Sequence, residues 1–292
     1  MNEIKKIAFV GLGAMGLPMA KRLADAGFEV GSAMRPTQAG QLAGQELEAA
    51  GGRMFPSYVE AVRGVDLILS ILPDDAALEN VYLNPEFFAA APDGVRILDM
   101  TSCTATALKK VAAHWATKNA VVVDAPVSGG VGGAQSGGLT IFAAGDDDAV
   151  AKLAPVLAVL GTNVFRLPSI GDGKSIKAVN QMLAAVNAVA VAEAFTLARK
   201  LGLDLPKTYE IIRVSSGTSY VFDHKFMKIV TNDYSSGFKF KLMKKDLGIA
   251  LNEAKGLPIP LTTLASSIYD KCTGNDDKDY SVLATVYLNP KE

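Results

Sequence analysis

The sequence predicts an α/β chain in two parts. An N-terminal parallel-sheet domain spans residues 1–168, an all-α domain spans 169–292, and a long helix joins them. Three observations predict this. Short apolar runs alternate with helical patterns through the first half. Those runs are near-continuously apolar, as strands covered on both faces require. After residue 170 the β-like runs become few and helical spacing takes over.

The first run is "KKIAFVG", and "AMGLPMAKRLADAG" after it has helical spacing. "FEVGSAM", "VDLILSILP", "VRILDM" and "NAVVVDAP" are further strands ending in polar or breaker residues. "AALENVYLNPEFFAA" and "TATALKKVAAHWATK" read as helices between them. "LTIFAAG" and "TNVFRL" flank the helix "DDDAVAKLAPVLAVL". Helices are then expected over 173–200, 206–215, 237–255, 260–273 and 280–288. No flexible linker separates the two parts, so the boundary is expected near 165–171, with the long helix forming part of the interface.

Composition narrows the function classes. At 292 residues and 49% hydrophobic, the chain can bury one large or two modest cores. A net charge of −1 gives no global field for nucleic acid or an anionic membrane. Cys103 and Cys272 cannot make a disulfide framework, and with His114 and His224 they show no metal-ligand spacing, so no metal and a reducing cytoplasm are expected. The N-terminus has no leader-like apolar core. The apolar stretch 182–198 contains Asn187 and Glu193, which favours a buried helix over a membrane span.

"FVGLGAMG" sets Gly11, Gly13 and Gly16 in G-x-G-x-x-G spacing between the first strand and the first helix, with Leu12, Ala14 and Met15 between them. The first glycine permits the tight turn, the second removes a side chain where pyrophosphate approaches backbone, and the third lets helix and strand pack closely. The helix start offers N–H groups and a positive dipole end to phosphate. In this strand–turn–helix context the loop predicts a Rossmann-like, dinucleotide-binding domain. NAD-specific folds place an acidic residue at the end of the second strand. Here that end reads Met34, Arg35, Pro36, with Thr37 next, while Glu29 sits at the strand's start. Arg35 suits a 2′-phosphate, so NADP is expected in preference to NAD. The alternative is a solvated surface arginine.

Three later segments add to this. "DLILSILP" brings Leu72 and Pro73 to the sheet's carboxyl edge, and "LDMTSC" brings Thr101, Ser102 and Cys103. "VDAPVSGGVGGAQSGG" places Ser128 before Gly129 and Gly130, and such a nest of backbone N–H groups can bind a carboxylate; alone it would read as a flexible loop. With "GLGAMGLPMAKRL", "DAPVSGG", "GDGKSIKAVNQ" and "KKDLGIAL" in order along nearly the whole chain, the sequence resembles the β-hydroxyacid dehydrogenase family, which includes 3-hydroxyisobutyrate dehydrogenase, tartronate semialdehyde reductase and threonate dehydrogenase. The resemblance implies reversible oxidation of a small 3-hydroxy acid by NAD or NADP without metal. It implies Lys177 as the catalytic residue, assisted by Asn180. Ser128, Gly129 and Gly130 would hold the substrate carboxylate. Leu72, Pro73 and Ser102 would line the cofactor, and Lys245 would reach it from the second domain. A homodimer or homotetramer is implied as well. Where many members read Ser-Thr, this chain has Thr101-Ser102.

Lys177 and Asn180 are three apart and share a helix face. Partial desolvation and the helix dipole would lower the lysine's pKa towards neutrality, which suits proton exchange with a substrate. Lys174 lies three residues earlier on nearly the same face, and periodicity alone does not choose between the two lysines. The family spacing from Gly171 and Gly173 favours Lys177, and Lys174→Ala is expected to be mild. Lys244, Lys245 and Asp246 could equally be a solvated charge cluster. Phe238 and Leu247 are expected to pack, His114 and Trp115 to lie on a surface helix, and Cys103 to be a small buried thiol. Two other readings remain open: an imine reductase on the same scaffold, against which Lys177 argues, and a non-catalytic dinucleotide-binding regulator.

Overall fold

The computed structural model describes residues 3–33, 36–235 and 237–288. The chain forms two compact units, Met1–Lys177 and Ala178–Glu292.

In the first unit β1 (Lys6–Val10) leads into α1 (Gly16–Asp25), β2 (Glu29–Ala33) into α2 (Gln38–Ala49), and β3 (Arg53–Phe55) into α3 (Tyr58–Ala61). β4 (Leu67–Ser70) is followed by α4 (Asp75–Tyr82) and α5 (Pro85–Ala90), and β5 (Arg96–Asp99) by α6 (Ala105–Trp115). Then come β6 (Val121–Asp124), β7 (Val127–Ser128), α7 (Gly130–Ser136), β8 (Leu139–Ala144), α8 (Asp147–Lys152), α9 (Ala154–Leu160) and β9 (Gly161–Leu167). The strand order is β3-β2-β1-β4-β5-β6-β8-β7, with β9 on β8. From β3 to β6 all pairs are parallel. β8 runs antiparallel to β6 and β7. The parallel sheet expected from the sequence is therefore parallel-dominated. The short α7 connection can return the chain only antiparallel, since a parallel partner needs a longer crossover.

Alternation along the strands builds two apolar layers. Ile7, Phe9, Leu67 and Leu69 face one core with Met19, Leu23 and Leu157, while Ala8, Val10 and Ile68 face another with Leu78, Phe87 and Leu108. This double coverage explains why the strands read as unbroken apolar runs. Two stretches that read as single helices are each split by proline. Asn84 accepts the N–H groups of Glu86 and Phe87 and caps a new helix at Pro85, and α9 starts with Pro155 in its first turn. One expectation is corrected. Trp115 is fully buried, with its indole N–H donating to the Tyr82 carbonyl at 2.8 Å. Its helix is amphipathic rather than superficial, burying Ala107, Leu108, Val111 and Trp115.

The second unit takes over within α10 (Asp172–Lys200), whose 29 residues span about 43 Å. It continues through α11 (Leu205–Ile212), α12 (Tyr220–Val230), α13 (Phe240–Glu253), α14 (Pro260–Lys271) and α15 (Thr285–Leu288). By length and composition alone α10 could cross a membrane, a test that buried core helices also pass; here its Ala185, Ala188, Ala192 and Phe195 belong to the unit's apolar core. α12 was not expected from the sequence. Ser219 caps it by accepting the Phe222 N–H at 3.0 Å, and it buries Val221, Phe222, Lys225, Phe226 and Ile229.

A buried ion pair anchors the end of this unit. Asp279 accepts from the Lys225 ammonium at 2.8 Å and from the N–H groups of Gly237, Phe238 and Ser281 at 3.1 Å. Burial works against its charge, but Lys225 and Ser281 outweigh burial and hold the carboxyl below its ordinary range. The stability it contributes is therefore present above about pH 4, the unfolded value, and is lost as pH falls through the lowered folded value. Asp279→Asn is expected to flatten the acid limb of a thermal-midpoint against pH curve; an unchanged acid limb would count against this linkage.

Candidate active site

The glycine loop packs as its spacing requires. A Cβ on Gly16 would collide with the Gly11 carbonyl, and one on Gly11, at φ +106°, with the carbonyl of Ile71 at the end of β4. Gly11 donates its N–H to the Tyr58 hydroxyl at 3.1 Å. A Cβ on Gly13, by contrast, would meet nothing within 4 Å. Leu12 and Met15 pack against the core, while Gly13 and Ala14 are exposed. A tight turn with open space over its middle glycine, at the start of a helix, fits a pyrophosphate.

The neighbouring strand ends form one buried network. Thr101 Oγ1 accepts from the Leu72 N–H at 3.0 Å and donates to Asp99 Oδ1 at 2.7 Å. Ser70 donates to the same carboxylate oxygen at 2.7 Å and accepts from the Tyr82 hydroxyl at 2.8 Å. The Thr101 hydroxyl is thus committed inward. Ser102 is half-buried and Pro73 exposed, so these two, with Leu72, stand at the rim.

The start of α10 is bound to the next strand ends. The Gly171 and Lys174 N–H groups each donate to the Asp124 carboxylate at 3.0 Å. A Cβ on Gly173 would lie 2.7 Å from Asp124 Oδ2, so only glycine lets the helix approach this closely. Burial raises the Asp124 pKa, and Lys174 with the two N–H groups offsets this only in part. Lys174 is fully buried, and its ammonium donates to Asp99 Oδ2 at 2.7 Å and to the carbonyls of Asp99 and Thr101 at 2.9 Å each. Burial alone would lower its pKa, but Asp99, Cys103 and Asp124 outweigh burial and raise it. This corrects the expectation that Lys174→Ala is mild, since that change would strand a buried carboxylate. The two lysines that periodicity could not separate now differ: Lys174 has all three hydrogens committed inside the first unit, while Lys177, 9% exposed, lies one turn further along.

Ser128 closes β7 opposite Thr140. Gly129 and Gly130 follow with φ of +127° and +61°, and α7 starts at Gly130. All three are half-buried.

In the second unit the Asn180 amide donates to Gln181 Oε1 at 2.9 Å, and Gln181 Nε2 donates to Asp246 Oδ2 at 2.7 Å. The Lys245 ammonium lies 2.9 Å from Asp246 Oδ1 as an ion pair without hydrogen-bond geometry. Asp246 and Gln181 are buried and Lys245 half-buried, whereas Lys244 is exposed and pairs with Asp270. The three charges are therefore not one solvated cluster. Gln181 and Asp246 were given no role by sequence reasoning, although both stand inside its motifs. The available signal was a polar pair on otherwise apolar helix faces.

Met34 and Arg35 lie outside the described residues. Thr37 Oγ1 accepts from the Gly40 N–H at 3.1 Å and caps α2, leaving its hydroxyl hydrogen to donate. The segment "SSGTSYVFDHK" lines an open cavity of about 570 Å³ in the second unit, with Thr218, Tyr220, Asp223 and His224 beside Arg213. Among the described residues no His, Cys, Asp and Glu cluster has the makings of a metal site.

Two family models together match most of the chain. The NAD binding domain of 6-phosphogluconate dehydrogenase matches residues 6–171, and the NAD-binding domain of NADP-dependent 3-hydroxyisobutyrate dehydrogenase matches residues 171–287. The chain is 35% identical to 2-(hydroxymethyl)glutarate dehydrogenase of Eubacterium barkeri, over 98% of this chain and 96% of that protein. It is 34% identical to NAD-dependent L-serine dehydrogenase of Pseudomonas aeruginosa, over 97% of this chain and 98% of that protein. The solved structure of Mycobacterium tuberculosis 3-hydroxyisobutyrate dehydrogenase with L-serine superposes with a TM-score of 0.86 at 31% identity, covering 97% of this chain and 99% of that one.

Proposed function

The chain belongs to the β-hydroxyacid dehydrogenase family, and from that premise we propose which residues carry its chemistry and on what substrate. It is an NAD(P)-dependent oxidoreductase of hydroxy acids or their semialdehydes with the fold of a soluble dehydrogenase. The proposed substrate is a small 3-hydroxy acid or the matching semialdehyde, and the proposed location is the cytoplasm.

The observation that carries the site is the anchoring of the α10 start, one turn before Lys177, to the carboxyl ends of β5 and β6. In such sheets ligands bind at these strand ends. Gly11 to Gly16, Leu72, Pro73, Ser102 and Lys245 are the residues proposed to hold the dinucleotide. Bound there, its nicotinamide supplies the hydride acceptor or donor. Lys177 takes the proton from the substrate hydroxyl in oxidation and returns it to the carbonyl oxygen in reduction. Asn180, with one amide hydrogen tied to Gln181, would hold the ammonium or the substrate oxygen without titrating. Large apolar side chains exposed along α10, among them Ile176, Val179 and Leu183, support a homodimer or homotetramer. The test is reduced-nicotinamide absorbance across C3–C5 3-hydroxy acids and semialdehydes. Cofactor binding without turnover on any of them would favour the regulator reading.

Ser128 and the N–H groups of Gly129 and Gly130 are assigned to the substrate carboxylate. Charge-assisted hydrogen bonds contribute roughly 1.5–3 kcal/mol each, so a neutral amide in place of the acid is expected to lose about 10²-fold in kcat/KM. An amide used as well as the acid would remove the case for this site. NADP is expected to be preferred over NAD through Arg35, with the Thr37 hydroxyl as a further donor to the 2′-phosphate. One such contact corresponds to about ten- to a hundredfold discrimination. The measurement is kcat/KM with each cofactor for wild type and Arg35→Ala; an equal or better use of NAD by the wild type, or a ratio unmoved by Arg35→Ala, would overturn it.

A further inference from the structure

We propose that Lys174 is a positioning residue for this reaction: it sets the first turn of α10, and with it Lys177, against the cofactor-lining ends of β4 and β5. The proposal rests on the reading of Lys177 as the proton-exchanging group. Its ground is a continuous chain of short bonds inside the first unit. The Lys174 ammonium donates to Asp99 Oδ2 at 2.7 Å and to the Asp99 and Thr101 carbonyls at 2.9 Å. Those carbonyls lie just before Ser102 in the chain. Thr101 Oγ1 donates to the other oxygen of Asp99 at 2.7 Å and accepts from the Leu72 N–H at 3.0 Å. One ammonium group thus ties together the helix carrying Lys177, the segment ending at Ser102 and, through Thr101, the backbone of Leu72.

Holding the helix end does not by itself require this lysine. The Asp124 carboxylate already accepts the Gly171 and Lys174 N–H groups, which caps the helix start. Lys174 adds a constraint directed sideways, from the helix onto the neighbouring strand end. A fully buried lysine with every hydrogen used in that direction fixes distance rather than offering charge to a ligand. Proton and hydride transfer need the reacting atoms in near-attack geometry, and a displacement of about 1 Å costs on the order of 10²-fold in rate. The constraint bears on the helix carrying Lys177 and on the rim at Leu72 and Ser102 but not on the glycine loop, so its loss lowers kcat further than cofactor affinity.

The experiment uses the full-length double variant Lys174→Met, Asp99→Asn. It removes both charges together and keeps an acceptor oxygen for the Ser70 and Thr101 hydroxyls. kcat, KM, cofactor Kd and the isotope effect of substrate deuterated at the carbinol carbon are measured on folded protein. The expected result is a kcat lower by about 10²-fold, a much smaller change in cofactor Kd and KM, and a larger isotope effect. A folded double variant with wild-type kcat overturns the proposal, and so does one whose cofactor affinity falls as far as its kcat, since that is general loosening. Should the double variant not fold, Thr101→Val decides: it keeps the Lys174–Asp99 ion pair and removes the Thr101 hydroxyl, with its bond to Asp99 Oδ1 and its link to Leu72. It is expected to lose about tenfold in kcat with a smaller change in Kd, and wild-type kcat there overturns the proposal. Lys177→Ala is run alongside. If it turns over normally, the catalytic reading fails; if it is dead while the folded double variant is fully active, only the positioning role fails.

Discussion

Lys177→Ala is expected to lower kcat by about 10²–10⁴-fold, the usual loss on removing a general acid or base, with cofactor affinity nearly unchanged. The asymmetry follows from where the parts sit in the sequence and fold. The glycine loop is built by β1 and α1 and its packing involves Gly11, Gly16 and Ile71. Lys177 stands on α10, whose own start is held by Asp124 and by Lys174 with Asp99, so truncating Lys177 leaves that anchorage intact. Steady-state rates in both directions, with cofactor Kd by titration, read the two quantities apart. A Lys177→Ala enzyme with near-wild-type kcat removes the assignment, and one that loses cofactor binding in proportion to kcat moves Lys177 from the reaction to the binding site.

Much of the scaffold was legible because local chemistry announced it. The loop from Gly11 to Gly16 signals its turn through residue type at fixed spacing, and the unbroken apolar runs of β1, β4, β5 and β6 report a sheet covered on both faces. What stayed hidden depends on partners far away in the chain. Lys174 and Lys177 look alike at helical spacing, and only Asp99, 75 residues away, sends one of them into the core. Trp115, grouped with His114 on a surface helix by pattern, has its partner carbonyl at Tyr82. α12 was missed because its buried face includes Lys225, a charge that patterning assigns to solvent and that Asp279 accommodates. Asp99 and Asp124, neighbours in register at the ends of β5 and β6, read as ordinary strand terminators. Gln181 and Asp246 gain a role only when α10 and α13 are placed side by side. The polar groups inside the fold are thus the part that a linear reading cannot pair, because each is paired by topology and not by spacing.

Lys174→Ala is expected to destabilise the protein by about 3–5 kcal/mol, the range for removing one partner of a buried ion pair. The magnitude follows from what remains. Asp99 is wholly buried, and without the ammonium it keeps the hydroxyls of Ser70 and Thr101, the Thr101 N–H and, on Oδ2, a long 3.9 Å bond from the Cys103 thiol. The Asp99 and Thr101 carbonyls lose their lysine donor in the same step. Removing the long side chain also leaves a void among fully buried neighbours, which adds to the cost. Exposed pairs such as Lys207–Glu210 set the contrast: they contribute little, so Lys207→Ala should hardly move the unfolding midpoint. The deficit also has a pH signature. The Lys174 pKa is raised in the folded state, since Asp99, Cys103 and Asp124 outweigh burial. Its stabilising contribution is therefore complete below the unfolded lysine value of about 10.4 and is lost as pH rises through the higher folded value. Urea unfolding of wild type and Lys174→Ala should show a constant gap from neutral pH to about 10, narrowing above it. A gap under about 1 kcal/mol at neutral pH would mean that the Asp99 carboxylate is satisfied without its lysine, and that the start of α10 is held by Asp124 alone.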